Sequence, residues 1–180
     1  MISDGEATMV NTNYNDDNIF RSQRLAVFAD VQNMFYSARN NYSDSRLDYE
    51  KLLATVLKNR QLIRAIAYLV ETEDIDQSGF KYHLRNFGWE VRSKQLKIRP
   101  DGSTKGDWDM GIAIDAIAIS EKVDTVVLVS GDGDFTALVN HLKACGVRVE
   151  VHSFERNTAA ELISSATEYY PIDESILRRK

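Results

Sequence analysis

Residues 126–135 read VVLVSGDGDF, an apolar run followed by two aspartates that flank a single glycine. The β-branched and apolar residues of VVLV predict a strand that is buried on both faces of a sheet. A turn or a helix cap explains one aspartate at such a strand end. The close pair Asp132 and Asp134 therefore raises the question of whether this end of the strand carries chemistry.

Strand-like and helix-like segments alternate along the rest of the chain. Strands are predicted at 24–30, 63–70, 89–98, 124–130 and 147–154, and helices at 33–41, 47–58, 77–86, 108–121, 134–145 and 157–166. The order predicts an α/β fold, a Rossmann-like three-layer sandwich with a mainly parallel sheet and helices on both faces. Residues 99–109, with one proline and two glycines, predict an exposed loop.

Length and composition indicate one soluble domain. The 180 residues with 43% hydrophobic content predict a domain over 23–172, a disordered N-terminal tail over 1–22 and a C-terminal tail over 173–180. A net charge of −5 argues against a simple cationic coat for nucleic acid. A single cysteine and the lack of a membrane-spanning run indicate a cytoplasmic protein with no membrane partner. A homodimer is retained as an alternative to a monomer.

Several acidic residues fall at one predicted edge of the sheet. Asp30 ends the first strand, and Asp132 and Asp134 follow the fourth. If the strand order is 3-2-1-4-5, these two strands are neighbours at the point where the order reverses, which is where open parallel sheets bind ligands. The helix that leads into the fourth strand begins at the same edge and brings Asp109 there.

The chemistry that suits such a cluster is metal-assisted hydrolysis. Four converging carboxylates repel one another, and a bound hard cation such as Mg²⁺ or Mn²⁺ relieves that repulsion. Such an ion activates water and stabilises a leaving oxyanion, as hydrolysis of a phosphodiester requires. No cluster of cysteine and histidine with zinc spacing is present.

Three motifs resemble a known family. FADVQN at 28–33, TKGDWDMGIAIDA at 104–116 and LVSGDGDF at 128–135 are similar to the three signatures of NYN domains, in particular the LabA-like group of the PIN-like nuclease superfamily. The resemblance covers about residues 24–155. It implies a Rossmann-like sheet of order 3-2-1-4-5 and, in the active members of the family, RNA cleavage that depends on a divalent metal.

The resemblance also implies roles for individual residues. The metal-binding and catalytic acids would be Asp30, Asp109, Asp132 and Asp134, with Asn33 and Ser130 as hydrogen-bonding residues beside them. The first motif departs from the commoner DGEN type, because Val31 replaces the glycine and Gln32 the acid. That change removes one carboxylate from the site.

The residues alone leave several roles open. Asp134 is either a metal ligand or a helix cap, and Asp107 is a cap or a ligand with equal weight. Lys105 would contact a phosphate, or it belongs to a solvated sheet edge. Trp108 would stack on a base, although a tryptophan at a helix start more often packs a loop onto the core.

The first functional hypothesis is a metal-dependent endoribonuclease that hydrolyses RNA phosphodiester bonds, with single-stranded RNA or structured loops as its partner. The alternative is a catalytically inactive regulator that keeps the PIN-like fold and binds RNA or a protein. A phosphatase or kinase-like enzyme has less support. A haloacid-dehalogenase phosphatase needs an acid two residues after its nucleophile, and here Asp30 is followed by Val31 and Gln32. No Walker loop or GxGxxG motif for nucleotide binding is present.

Overall fold

The computed structural model describes residues 22–42, 45–98 and 104–179. The strands, in chain order, are β1 (Arg24–Asp30), β2 (Ser45–Leu47), β3 (Gln61–Glu71), β4 (Glu90–Gln95), β5 (Lys97–Ile98), β6 (Thr104–Lys105), β7 (Thr125–Val129), β8 (Arg148–Ser153), β9 (Glu168–Pro171) and β10 (Leu177–Arg179). The helices are α1 (Val31–Asn41), α2 (Tyr49–Leu57), α3 (Ser78–Asn86), α4 (Asp109–Ile119), α5 (Thr136–Ala144) and α6 (Ala160–Ser165). None of these helices is long and apolar enough to cross a membrane.

The main sheet is parallel throughout and has the order β4-β3-β1-β7-β8-β9. The chain builds outward from β1 to β3 and β4, and then returns to the other side of β1 to add β7, β8 and β9. The order therefore reverses between β1 and β7, and a ligand site is expected beyond their carboxyl ends. The α/β fold class predicted from the sequence is confirmed, and the five predicted strands keep the order 3-2-1-4-5.

Helices cover both faces of this sheet. Helices α1, α2 and α3 pack on one face around Leu25, Val27 and Val129. Helices α4, α5 and α6 pack on the other face around Phe28, Ile66 and Leu128. Because β1 and β7 are buried on both sides, their sequences are apolar runs without a polar alternation. The two buried central strands give the residues at their ends a rigid support.

The prediction differs from the structure in several places. The predicted strand 89–98 is divided into β4 and β5, and β5 pairs antiparallel with β6, which lies inside the predicted loop 99–109. The sequence does not predict β9, because EYYP is only four residues long and ends in a proline, which is too short a run for a strand pattern. The predicted C-terminal tail over 173–180 is not simply a tail in its described part, 173–179, because β10 pairs antiparallel with β2, and Ile176 and Leu177 are buried in the core beside α2. The predicted N-terminal tail over 1–22 lies outside the described residues except for residue 22.

A buried ion pair joins the end of α2 to β8. Arg60 Nη1 and Nη2 donate to the two carboxylate oxygens of Glu150 at 2.8 and 2.9 Å. Both side chains are only 3% exposed. Burial opposes ionisation of Glu150, but its hydrogen bonds and the positive charge of Arg60 outweigh burial and hold the pKa of Glu150 below its usual value. The pair fixes one flank of the sheet at the amino-terminal end of β3.

We expect the substitution Glu150→Ala to lower the free energy of unfolding by about 3–5 kcal/mol, because it leaves the Arg60 guanidinium buried without a counter-charge. Urea unfolding measures this change. The matched control is Glu90→Ala, which removes the half-exposed partner of Arg64 and should cost less than about 1 kcal/mol. Equal losses of unfolding free energy in the two variants would contradict the claim that burial makes the Arg60–Glu150 pair more costly to break than the Arg64–Glu90 pair.

Candidate metal and nucleic-acid site

The end of β1 is joined directly to the start of α1 by Asp30. Its Oδ1 accepts a hydrogen bond from the backbone N–H of Asn33 at 3.0 Å and so caps the helix. The Asn33 side chain spans the gap to the next strand, since its Oδ1 accepts from the backbone N–H of Gly131 at 3.0 Å. Asn33 therefore ties the carboxyl ends of β1 and β7 together, which fixes the acids that follow each strand.

The turn after β7 uses its own side chains to present two carboxylates. Ser130 is fully buried, and its Oγ accepts from the backbone N–H of Asp132 at 3.2 Å. Asp132 Oδ1 in turn accepts from the backbone N–H of Asp134 at 3.0 Å and caps a short 3₁₀ turn, Gly133–Phe135. Asp132 therefore caps this turn. Asp134, for which the sequence left a choice between metal ligand and helix cap, is exposed and caps neither this turn nor α5.

Gly131 is required by a close approach of two loops. A Cβ at this position would lie 2.3 Å from the backbone oxygen of Asn157. The backbone N–H of Ala159 donates to the Gly131 oxygen at 3.0 Å, so the two loops are also hydrogen-bonded. The close contact holds the turn after β7 against the loop that follows β8.

Asp109 is the first residue of α4, directly after Trp108. The indole Nε1 of Trp108 donates to the Leu69 oxygen at 2.7 Å, and its ring lies 5.3 Å from the ring of Tyr68. These contacts agree with the expectation that Trp108 packs the loop onto the core. This packing anchors the start of α4 at the end of β3 and brings Asp109 to the acidic edge.

The structure brings three of the four predicted acids into one cluster. One carboxylate oxygen from each of Asp109, Asp132 and Asp134 lies within 4.8 Å of the other two. Asp30 borders the same cleft and is 8% exposed. Three of the four predicted acids therefore form the cluster at the reversal point of the sheet, and Asp30 lies beside it in the wall of the cleft.

Several negatively charged side chains lie close together at this edge of the sheet. Burial raises the pKa of Asp30 to about 6, the charges of Asp109 and Asp132 add to this rise, and the hydrogen bond from Asn33 opposes it. Burial also raises the pKa of Asp109, together with the charges of its acidic neighbours. Carboxylate oxygens grouped in this way are the donors that Mg²⁺ and Mn²⁺ prefer, so the residues fit a hard divalent cation.

A cleft of about 350 Å³ opens beside the cluster. The residues in its lining that were candidates from the sequence are Asp30, Asn33, Asp107, Trp108, Asp109 and Asp132. Besides the acids, its walls carry residues that the sequence did not single out: Tyr36, Ser37, Asn40 and Asn157. A signal for them was present. Tyr36, Ser37 and Asn40 follow Asn33 at the three- and four-residue steps of one helix face, and Asn157 follows β8 at the same sheet edge. Gln32, which the first motif carries in place of an acid, also lines the cleft.

One lysine contacts the rim of the cleft. Lys94 Nζ donates to the backbone oxygen of Asp107 and lies 4.6 Å from the centre of the Trp108 ring. Its charge acts to lower the pKa of Asp109. The side chain of Asp107 does not cap α4, whose N-cap is Trp108 without a side-chain hydrogen bond. The side chain of Lys105 lies outside the described part of the structure.

Comparison with known proteins identifies the family. The NYN domain family matches residues 24–173. The chain is 33% identical over 168 residues to the Low amplitude and bright protein LabA of Synechococcus elongatus, a match that covers 86% of this chain and 87% of LabA. A crystal structure of a protein of unknown function from Vibrio parahaemolyticus superposes with a TM-score of 0.82 at 38% identity, covering 88% of this chain and 98% of that one. The chain belongs to the NYN domain family.

Proposed function

We propose that this chain is a ribonuclease that hydrolyses RNA phosphodiester bonds with the help of Mg²⁺ or Mn²⁺. The observation that carries the proposal is the cluster of Asp109, Asp132 and Asp134, whose oxygens lie within 4.8 Å of one another. Asp109 and Asp132 line an open cleft. Membership of the NYN family, which belongs to the PIN-like nuclease superfamily, supports RNA as the substrate class.

The three clustered carboxylates would hold the cation, and Asp30 would complete the ligand set from the end of β1. A bound divalent ion would lower the pKa of a water molecule bound to it, and its positive charge would stabilise the negative charge on the phosphate oxygens. Asp132 is kept in place by the hydrogen bond that its Oδ1 accepts from Asp134 N–H. Asn33 fixes the spacing between the two strand ends through Gly131.

The alternative is a regulator that binds RNA or a protein without cutting. The observation that favours it is Gln32, a neutral amide that lines the cleft where the first family motif commonly has an acid. A regulator with a weakened site would bind Mn²⁺ poorly and leave every RNA intact. The cleavage experiment below therefore separates the two functions.

We expect Asp132→Asn to reduce cleavage of a mixed RNA pool by more than about 100-fold, since even outer partners of metal ligands contribute 10–100-fold to activity. Asparagine keeps the oxygen that caps the turn but loses the charge. Reactions with Mg²⁺ or Mn²⁺ and with EDTA, followed by gel electrophoresis, measure the effect.

Asp173→Asn is the matched control for this substitution. Asp173 also caps a 3₁₀ turn, through the hydrogen bond that its Oδ1 accepts from Ser175 N–H at 2.8 Å, but it lies outside the cleft lining. This variant should cleave like the wild type. Cleavage that survives Asp132→Asn or EDTA would disprove the proposed site, and no cleavage by the wild type would favour the regulator.

We expect Asp30→Asn to stabilise the protein at pH 7.5 in EDTA. A folded-state pKa of about 6, against 3.8 for the free group, means that ionised Asp30 destabilises the fold by up to about 3 kcal/mol above pH 6, at 1.36 kcal/mol per pKa unit. The penalty is absent below pH 3.8, where the carboxyl is protonated in both states, and it grows as the pH rises between these two values.

Urea unfolding of wild type and Asp30→Asn at pH 7.5 and pH 4.5 measures this effect. The advantage of the variant should shrink at the lower pH, and saturating Mn²⁺ should stabilise the wild type more than the variant. A variant less stable than wild type at pH 7.5 in EDTA would show that Asp30 is not under electrostatic strain.

A further inference from the structure

The outer wall of the cleft carries an exposed aromatic pair on α1. Helix α1 turns Val31, Met34 and Ala38 into the core. Phe35 and Tyr36 lie off this face, with 46% and 53% of their surfaces exposed. Single exposed apolar residues are common on proteins, but two adjacent aromatic rings with half their surface in solvent contribute little to the core. Their position beside the acids suggests a binding role.

Only one of the two rings faces the cleft. Tyr36 lines it together with Gln32 and Asn40, whereas Phe35 does not. The Phe35 ring meets the Tyr36 ring edge-to-face, with centroids 5.5 Å apart and an angle of 71° between the planes. This contact restricts the orientation of the Tyr36 ring on one side. Tyr36 is therefore a supported aromatic surface at the mouth of the acidic cleft.

The distance along α1 separates this ring from the proposed reaction centre. Asp30 caps the helix, and Tyr36 follows six residues later, about 9 Å along the axis at 1.5 Å per residue. Tyr36 therefore lies about one and two-thirds helical turns beyond the residue that caps the helix at the acidic edge. A ring there would contact a part of the substrate that extends away from the reacting bond.

We propose that Tyr36 stacks on an unpaired base of single-stranded RNA, next to the nucleotide whose phosphate is held at the acids. This inference rests on the proposed function, and it assigns the preference for single strands to one residue. Every base offers a flat face for stacking, and only an unpaired base can leave its neighbours to use it. The wall beside Tyr36 offers the amides Gln32, Asn40 and Asn157, which can bond base edges without adding charge.

Stacking would also explain how an acidic cleft binds RNA, which carries a negative charge on every phosphate. Among the side chains that the structure describes, Lys94 contacts the rim through the backbone oxygen of Asp107, and the acids repel phosphate unless a cation is bound. Affinity from stacking depends less on salt than affinity from phosphate contacts. Base contacts along α1 would therefore provide binding affinity that does not depend on electrostatic attraction between the protein and RNA.

The test uses the full-length chain, a single-stranded RNA 12-mer with 2-aminopurine at its centre, and a duplex of the same sequence. The Asp132→Asn background in Mg²⁺ keeps the RNA intact during titration. In this background we expect the further substitution Tyr36→Ala to weaken single-strand binding by about tenfold or more and to reduce the fluorescence change of the base. Tyr36→Trp should retain both, and duplex binding should change little.

The matched control is Tyr82→Ala, which removes another exposed tyrosine, on α3 and outside the cleft lining. It should bind like its parent. In the otherwise wild-type enzyme, Tyr36→Ala should raise KM with kcat nearly unchanged, because stacking on a flanking base is the same before and during reaction.

The outcomes separate the stacking proposal from the ribonuclease proposal. If the wild type cleaves RNA while Tyr36→Ala binds and cleaves equally well, the stacking role is wrong and the ribonuclease stands. If Tyr36→Ala weakens binding but the wild type cuts nothing, stacking stands and the catalytic proposal fails. An absence of RNA binding by every variant would overturn both.

Discussion

Mutual repulsion of carboxylates is the constraint on which the rest of this structure depends. Three aspartate oxygens lie within 4.8 Å of one another. A fourth aspartate, Asp30, lies beside them, and its burial, together with the charges of Asp109 and Asp132, raises its pKa to about 6. Like charges at such short distances repel one another. The carboxylates stay together because Asn33 ties two strand ends, Ser130 and Asp132 organise one turn, and Trp108 anchors another. The scaffold thus holds a geometry that its own charges oppose.

The sheet topology makes this arrangement possible. The strands β1 and β7 are buried on both faces, so their carboxyl ends are fixed by two hydrophobic cores at once. The order of the strands reverses between them, which leaves an opening that crossover helices do not cover. We propose that a cation binds in this opening, because its positive charge would offset the repulsion between the carboxylates. The crowding of the acids would then explain both the proposed catalysis and a lower stability of the metal-free protein, because a bound metal ion would offset the repulsion.

Much of this could be predicted from the sequence, for identifiable reasons. The long apolar runs and the positions of aspartates after them predict the sheet, its reversal point and the meeting of Asp30, Asp109, Asp132 and Asp134. The sequence could not show which aspartate caps the turn, because Asp132 and Asp134 are equally suited to capping and only the backbone geometry distinguishes them. It also missed β10, whose three residues are held by long-range pairing with β2, and the cleft wall formed by Tyr36 and Asn157, which depends on the tertiary approach of α1 to the loop after β8.

Diffraction from a crystal soaked in Mn²⁺, measured at the manganese absorption edge, would show whether the aspartates hold a metal ion. We expect an anomalous peak at about 2.0–2.4 Å from carboxylate oxygens of Asp109, Asp132 and Asp134, with Asp30 beside it or in its ligand sphere. The peak should disappear in Asp132→Asn and persist in Asp173→Asn. A fully soaked crystal with no peak at these aspartates, or with peaks only elsewhere on the surface, would contradict the account.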